Sequence, residues 1–169
     1  MRPEGAPWRV VVVGVGNELY ADDGVGVVVA RELAAAGSPA GVEVIEGHVG
    51  GLDLLFDMEE ADHVIFVDAV AMGRAPGEVA VFTPEQVKLL PPGTVASLHH
   101  IGLEQVLGLA ELMGVTPNLH VVGIEPERVA PGLALSEAAA RAVPVALAEV
   151  RRLLREDGLT CEAQLAPSP

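Results

Sequence analysis

Short runs of aliphatic residues alternate along the chain with amphipathic stretches, and most runs stop at Gly, Asp or Pro. Val10 to Val13 is continuously apolar and β-branched, the pattern of a strand buried on both faces. Gly24 to Ala36 then carries Val25, Val28, Val29, Ala30 and Leu33 at spacings of three and four, which predicts a helix ended by Gly37, Ser38 and Pro39. Val42 to Ile45, Val64 to Val67, Val79 to Phe82 and Leu119 to Ile124 predict four further strands. Leu52 to Met58 predicts a short helix, and Thr83-Pro84-Glu85 either opens another one through Lys88 or simply ends a strand. Ile101 to Leu112 predicts a helix with one apolar face. Ser136 to Leu154 predicts the last helix, N-capped by Ser136, kinked at Pro144 and carrying Arg151, Arg152 and Arg155 near its negative dipole end. Strands alternating with helices predict a three-layer α/β/α sandwich built on parallel neighbours, in one domain over residues 1–158. Residues 159–169 lack periodicity and predict a loose tail.

Composition narrows the class of molecule. A length of 169 residues suits one domain with a core of its own, and a formal charge of −14 disfavours binding to a phosphate backbone. The single cysteine, Cys161, excludes an internal disulfide and multi-cysteine metal cages, and it fits a reducing compartment. The apolar runs are shorter than the roughly 18 residues of a membrane-spanning helix. Met1 to Trp8 contains Pro3 and Pro7 and shows no secretion signal pattern, so a soluble cytoplasmic protein is expected.

Gly14-Val15-Gly16-Asn17 after the first strand invites a dinucleotide-binding reading. The third glycine of that fingerprint is absent, since position 19 is Leu19, and Asp22 and Asp23 ahead of the helix would repel phosphate. Lys88 is the only lysine, and no Gly-Lys-Ser/Thr, Gly-x-Ser-x-Gly or His-Glu-x-x-His sequence occurs, which argues against ATP turnover, a serine acyl-enzyme and a zincin. The carboxylates suggest different chemistry. Asp22 or Asp23 near the end of strand one and Asp68 at the end of strand three would meet at one sheet edge, where a loop histidine can join them. Two carboxylates and one imidazole form a ligand set for Ni, Zn, Mn or Fe. Plainer roles compete: Asp22 or Asp23 as a helix cap, and Asp68 as a strand-end acceptor of backbone hydrogen bonds. Of the adjacent His99 and His100, at most one faces an ion. His48, in a glycine-rich loop, is a candidate pocket wall. His63 and His120 read as structural, and Glu125 as a boundary group at the end of strand five.

Four motifs, Gly14 to Gly26 (GVGNELYADDGVG), Phe66 to Ala69 (FVDA), Ser97 to Leu103 (SLHHIGL) and Val122 to Pro126 (VGIEP), closely resemble the nickel-iron hydrogenase maturation proteases in order and spacing. The resemblance runs from about Val10 to Leu154. It implies an endopeptidase that removes a C-terminal extension from a hydrogenase large-subunit precursor after nickel insertion; the alternative is a non-catalytic metal chaperone or assembly scaffold for the same precursor. It assigns the metal-contacting and functionally required side chains to Asp23, Asp68 and His99, with nickel presented by the substrate. Several relatives carry glutamate at position 23, so Asp23 reaches about 1.5 Å less far. The family fold implies a twisted, mostly parallel five-stranded sheet in which one edge strand runs antiparallel. Whether chemistry is of the aspartic type or metal-assisted stays open at this point. A monomer is expected, with Gly47, Gly50 and Gly51 facing Pro91 to Gly93 across a groove for the precursor tail.

Overall fold

The computed structural model describes residues 8–48, 53–91 and 103–156. Among them, five strands form one sheet: β1 (Val10–Val15), β2 (Val42–His48), β3 (His63–Ala69), β4 (Val79–Phe82) and β5 (Asn118–Ile124). Their order is β2-β1-β3-β5-β4. β1 pairs in parallel with β2 and β3, and β3 with β5, while β4 lies antiparallel to β5. The antiparallel edge corrects the all-parallel pattern read from strand and helix alternation and agrees with the mixed sheet implied by the family resemblance. Its cause is chain length. A parallel return needs a crossover of about a dozen residues or more, and residues 70–78 between β3 and β4 are too few, so β4 starts near the edge where β3 stops and runs back.

Alternation along β1 explains the layers. Val10 and Val12 point into a core shared with α1 (Val25–Ala35) and α5 (Glu137–Glu156), through residues such as Val29, Leu33, Ala142, Ala146 and Val150. Val11, Val13 and Val15 point the other way, against Leu54 and Met58 of α2 (Asp53–Glu59), Val87 of α3 (Pro84–Lys88) and Leu103, Val106 and Leu107 of α4 (Leu103–Leu112). Every residue of β1 and β3 is buried, as a central strand covered on both faces requires.

Local signals mostly act where the sequence placed them. Thr83 opens α3, with its amide donating to the Gln86 side chain at 2.9 Å. Ser136 Oγ accepts from the Ala139 amide at 3.1 Å and caps α5. The kink expected at Pro144 does not break α5, which runs unbroken from Glu137 to Glu156. Pro144 and Ala140, whose carbonyl loses its helical donor there, both lie on the exposed face of the helix. The helix predicted from Gly24 begins earlier, as a 3-10 turn over Ala21–Gly24 that leads directly into α1. Among the described residues, no helix is long and apolar enough to cross a membrane. The tail predicted over 159–169 lies outside the described residues.

Candidate active site at the carboxyl edge of the sheet

The glycines after β1 serve close packing of the chain on itself. Gly16 has φ +134°, and a Cβ there would lie 1.8 Å from the Asp23 carbonyl oxygen. A Cβ on Gly26 would lie 2.1 Å from the Val67 carbonyl oxygen and 2.4 Å from that of Val15. The start of α1 therefore sits directly on the ends of β1 and β3, and the 3-10 turn before it brings Asp23 beside Asp68. Backbone occupies the space beside Gly16 that the dinucleotide reading would leave for a pyrophosphate.

The structure separates the two adjacent acids. Asp22 Oδ2 accepts from the amides of Glu127 (2.9 Å) and Arg128 (3.0 Å) and from Ser136 Oγ (2.8 Å), while Oδ1 accepts from the Ser136 amide at 2.6 Å. Burial pushes the Asp22 carboxyl up, but these hydrogen bonds outweigh it and hold the group below the usual carboxylate range. Asp22 is thus a structural clasp, and the cap role open to either acid is replaced by a long-range tie. With its folded pKa depressed, its contribution is present above the unfolded value of 3.8 and is lost as pH falls through the folded value. Asp22→Asn puts an amide NH2 against these donors. Thermal melts at pH 7 should show a loss of about 3 kcal/mol, with the deficit shrinking in acid; an equal deficit at pH 7 and pH 3 would contradict the clasp.

Asp23 Oδ2 accepts from the Asn17 amide at 2.9 Å, and Asn17 Oδ1 in turn accepts from the Leu19 amide at 3.0 Å. The Asn of the glycine loop thus shapes the turn and holds the acid. Ala21 immediately before adopts φ +52°, a left-handed conformation uncommon for a residue with a Cβ, and its amide donates to the Gly132 carbonyl at 2.7 Å. Asp68 pairs in register with Gly123 of β5 and is fully buried, as is Asp23. Burial drives the Asp68 carboxyl well above the usual range, and the charge of Asp23 drives it further, against a smaller opposing pull from the Ala69 amide. Neither Asp68 oxygen accepts a hydrogen bond of good geometry among the described residues. A buried acid left in this state suits proton exchange or capture of a cation from a partner.

His99 and His100 lie outside the described residues, so the predicted trio is represented here by Asp23 and Asp68. Among the described residues, no group of three His, Cys, Asp or Glu side chains gathers as a metal site. As hard oxygen donors, the two acids fit a cation as two of its ligands. His48 closes β2, and the glycines at 50 and 51 lie outside the described residues, as do Pro92 and Gly93 of the predicted groove. His63 opens β3 at the end remote from Asp68 and meets the Trp8 ring edge-on, with centroids 5.1 Å apart. Glu125 does more than mark a boundary: its Oε2 accepts from the Met72 and Arg74 amides. Pattern reasoning missed the grip of Glu125 and the donors from residues 127, 128 and 136, because their partners are distant in sequence.

The fold matches solved endopeptidase structures. The hydrogenase maturating endopeptidase HybD from Escherichia coli aligns with TM-score 0.75 at 32% identity, covering 89% of this chain and 94% of that one. A solution structure of an endopeptidase from Escherichia coli aligns with TM-score 0.80 at 34% identity, covering 90% and 95%. In sequence, the chain is 36% identical over 160 residues to the hydrogenase expression/formation protein HupD of Rhodobacter capsulatus (93% of this chain, 76% of that protein). It is 34% identical over 154 residues to the hydrogenase 2 maturation protease of Escherichia coli strain K12, covering 89% and 93%. A family model described as hydrogenase maturation protease matches residues 27–153. The chain belongs to the hydrogenase maturation protease family.

Proposed function

We propose that this maturation endopeptidase acts, as a cytoplasmic monomer, on the large-subunit precursor of a nickel-iron hydrogenase and removes its C-terminal extension once nickel has been inserted. The observation that carries the reading is the buried pair of Asp23 and Asp68 at the carboxyl edge of the sheet, with neither Asp68 oxygen accepting a well-formed hydrogen bond among the described residues. Asp23, Asp68 and His99 would take hold of nickel that arrives on the substrate, so that the cation reports a completed cofactor and orients the tail. Asp68 would meet the cation through its carbonyl oxygen, so that it keeps its proton while the tail docks.

Peptide hydrolysis needs a base for water and an acid for the leaving amine. A coupled carboxyl pair supplies both, because one member holds a proton at a pH where the other is ionised. Burial makes Asp68 the better proton holder, which leaves Asp23, oriented by the Asn17 amide, to accept a proton from water. This is aspartic-type chemistry in which the substrate's nickel acts as anchor.

Incubating the purified protein with a nickel-loaded and a nickel-free large-subunit precursor tests the reading by mass spectrometry. The expected result is loss of a C-terminal fragment from the loaded form only. Stable binding of the loaded precursor with no cleavage would instead favour a chaperone or scaffold, and equal cleavage of both forms would remove the anchor role of nickel.

A further inference from the structure

The two acids stand on separate stretches of chain, Asp23 on the turn before α1 and Asp68 at the end of β3, so their separation must be set by something that holds both. One five-residue stretch does so. The Ile124 carbonyl accepts from the Val70 amide at 2.9 Å, two residues past Asp68. Glu125, only 7% exposed, receives the Met72 amide at 2.7 Å and the Arg74 amide at 3.1 Å on one carboxylate oxygen. Its main chain donates to the Glu78 carbonyl and accepts from the Gly77 amide, both at 2.8 Å. Two residues later the Glu127 and Arg128 amides bind Asp22, the neighbour of Asp23, and the Arg128 carbonyl accepts from the Asp22 amide at 3.1 Å. Ala71, Gly73, Arg74, Ala75 and Pro76 are exposed, so side-chain packing does little to fix the segment leaving Asp68. Hydrogen bonds to Ile124 and Glu125 do that instead.

We propose that the turn Ile124–Arg128 is a brace that sets the spacing of the two acids, and that Glu125 is a positioning residue for cleavage, acting through the segment that follows Asp68. The proposal rests on Asp23 and Asp68 being the reacting acids. What the brace needs from Glu125 is reach and an accepting oxygen, not charge. Glutamine keeps both, since its carbonyl oxygen can take the place of the gripping Oε2. Aspartate keeps the charge but falls one methylene short of the two amides.

The test compares Glu125→Gln, Glu125→Asp and Asp68→Asn for cleavage of a nickel-loaded precursor, with Val150→Ala in α5 as a control for lost stability. Glu125→Gln should stay within about twofold of the parent in kcat. Glu125→Asp should lose about 10- to 100-fold in kcat with KM within about twofold, the penalty of a misplaced reacting group. Val150→Ala should keep kcat while melting at lower temperature. Equal kcat for the Asp and Gln variants, a better Asp than Gln variant, or a change confined to KM would overturn the brace. If Glu125→Asp does not fold, Ser136→Ala replaces it by removing one donor to Asp22 at the other grip; a several-fold fall in kcat at constant KM is expected, and an unchanged kcat overturns the proposal. The two readings fail separately: an active Asp68→Asn removes the acid pair itself, whereas an inactive Asp68→Asn beside equal Glu125 variants removes only the brace.

Discussion

Asp68→Asn will abolish cleavage and at the same time raise the melting temperature at neutral pH. Loss of a proton-transferring acid lowers turnover by about 10²- to 10⁴-fold. The stability gain follows from the burial of Asp68. Asp68 titrates well above its unfolded value of 3.8, because burial and the charge of Asp23 both disfavour its ionised form. Between the unfolded and folded values the native state binds more protons than the unfolded chain, so stability falls as pH rises through that window. An asparagine carries no titrating proton and no charge to repel Asp23. The difference in melting temperature between variant and parent should therefore be small near pH 4 and grow as pH rises. Calorimetry at several pH values measures it, and a difference that shrinks with rising pH would show that folding does not raise the proton affinity of Asp68. On the role proposed for Asp68, function and stability are opposed at this position.

The second large effect concerns Gly26. Alanine there sets a methyl 2.1 Å from one backbone carbonyl oxygen and 2.4 Å from another, so α1 has to move off the ends of β1 and β3. Backbone cannot swing aside as a side chain can, and the loss should exceed the about 1–3 kcal/mol of ordinary overpacking. A fall of about 4 kcal/mol corresponds to about 8–16 °C in melting temperature for a domain of this size. Gly108 in α4 supplies the contrast. Nothing lies within 4 Å of a Cβ built there, so Gly108→Ala should stabilise by about 1 kcal/mol through helix propensity alone. Urea denaturation of both variants decides the matter: a Gly26→Ala protein as stable as the parent would mean that α1 does not sit on the strand ends as described.

These contacts show why the pattern of residues carried the argument part of the way. A run such as Val10–Val13 can be read without coordinates, because a strand that is apolar on both faces has to be covered on both faces. Capping at Ser136 was likewise legible, and the entry to α3 at Thr83 was one of two readings left open there, since each signal acts within three residues of itself. The motifs assigned Asp23 and Asp68 through family likeness. Glu125 and Asn17 were under-read, one taken as a boundary and the other as part of a glycine loop, although their hydrogen bonds shape the site.

The sequence by itself determined the alternation of buried strands and covering helices, the acidic character of the chain, and the presence of carboxylates where strands end. Tertiary structure decided which acid does what. Asp22 and Asp23 are identical in chemistry and adjacent in the chain, yet one receives four hydrogen bonds from residues more than a hundred positions away, and the other is left beside Asp68. An acid's proton affinity depends on the donors, charges and solvent that folding brings to it, and those neighbours are set by three-dimensional proximity, not by position in the chain.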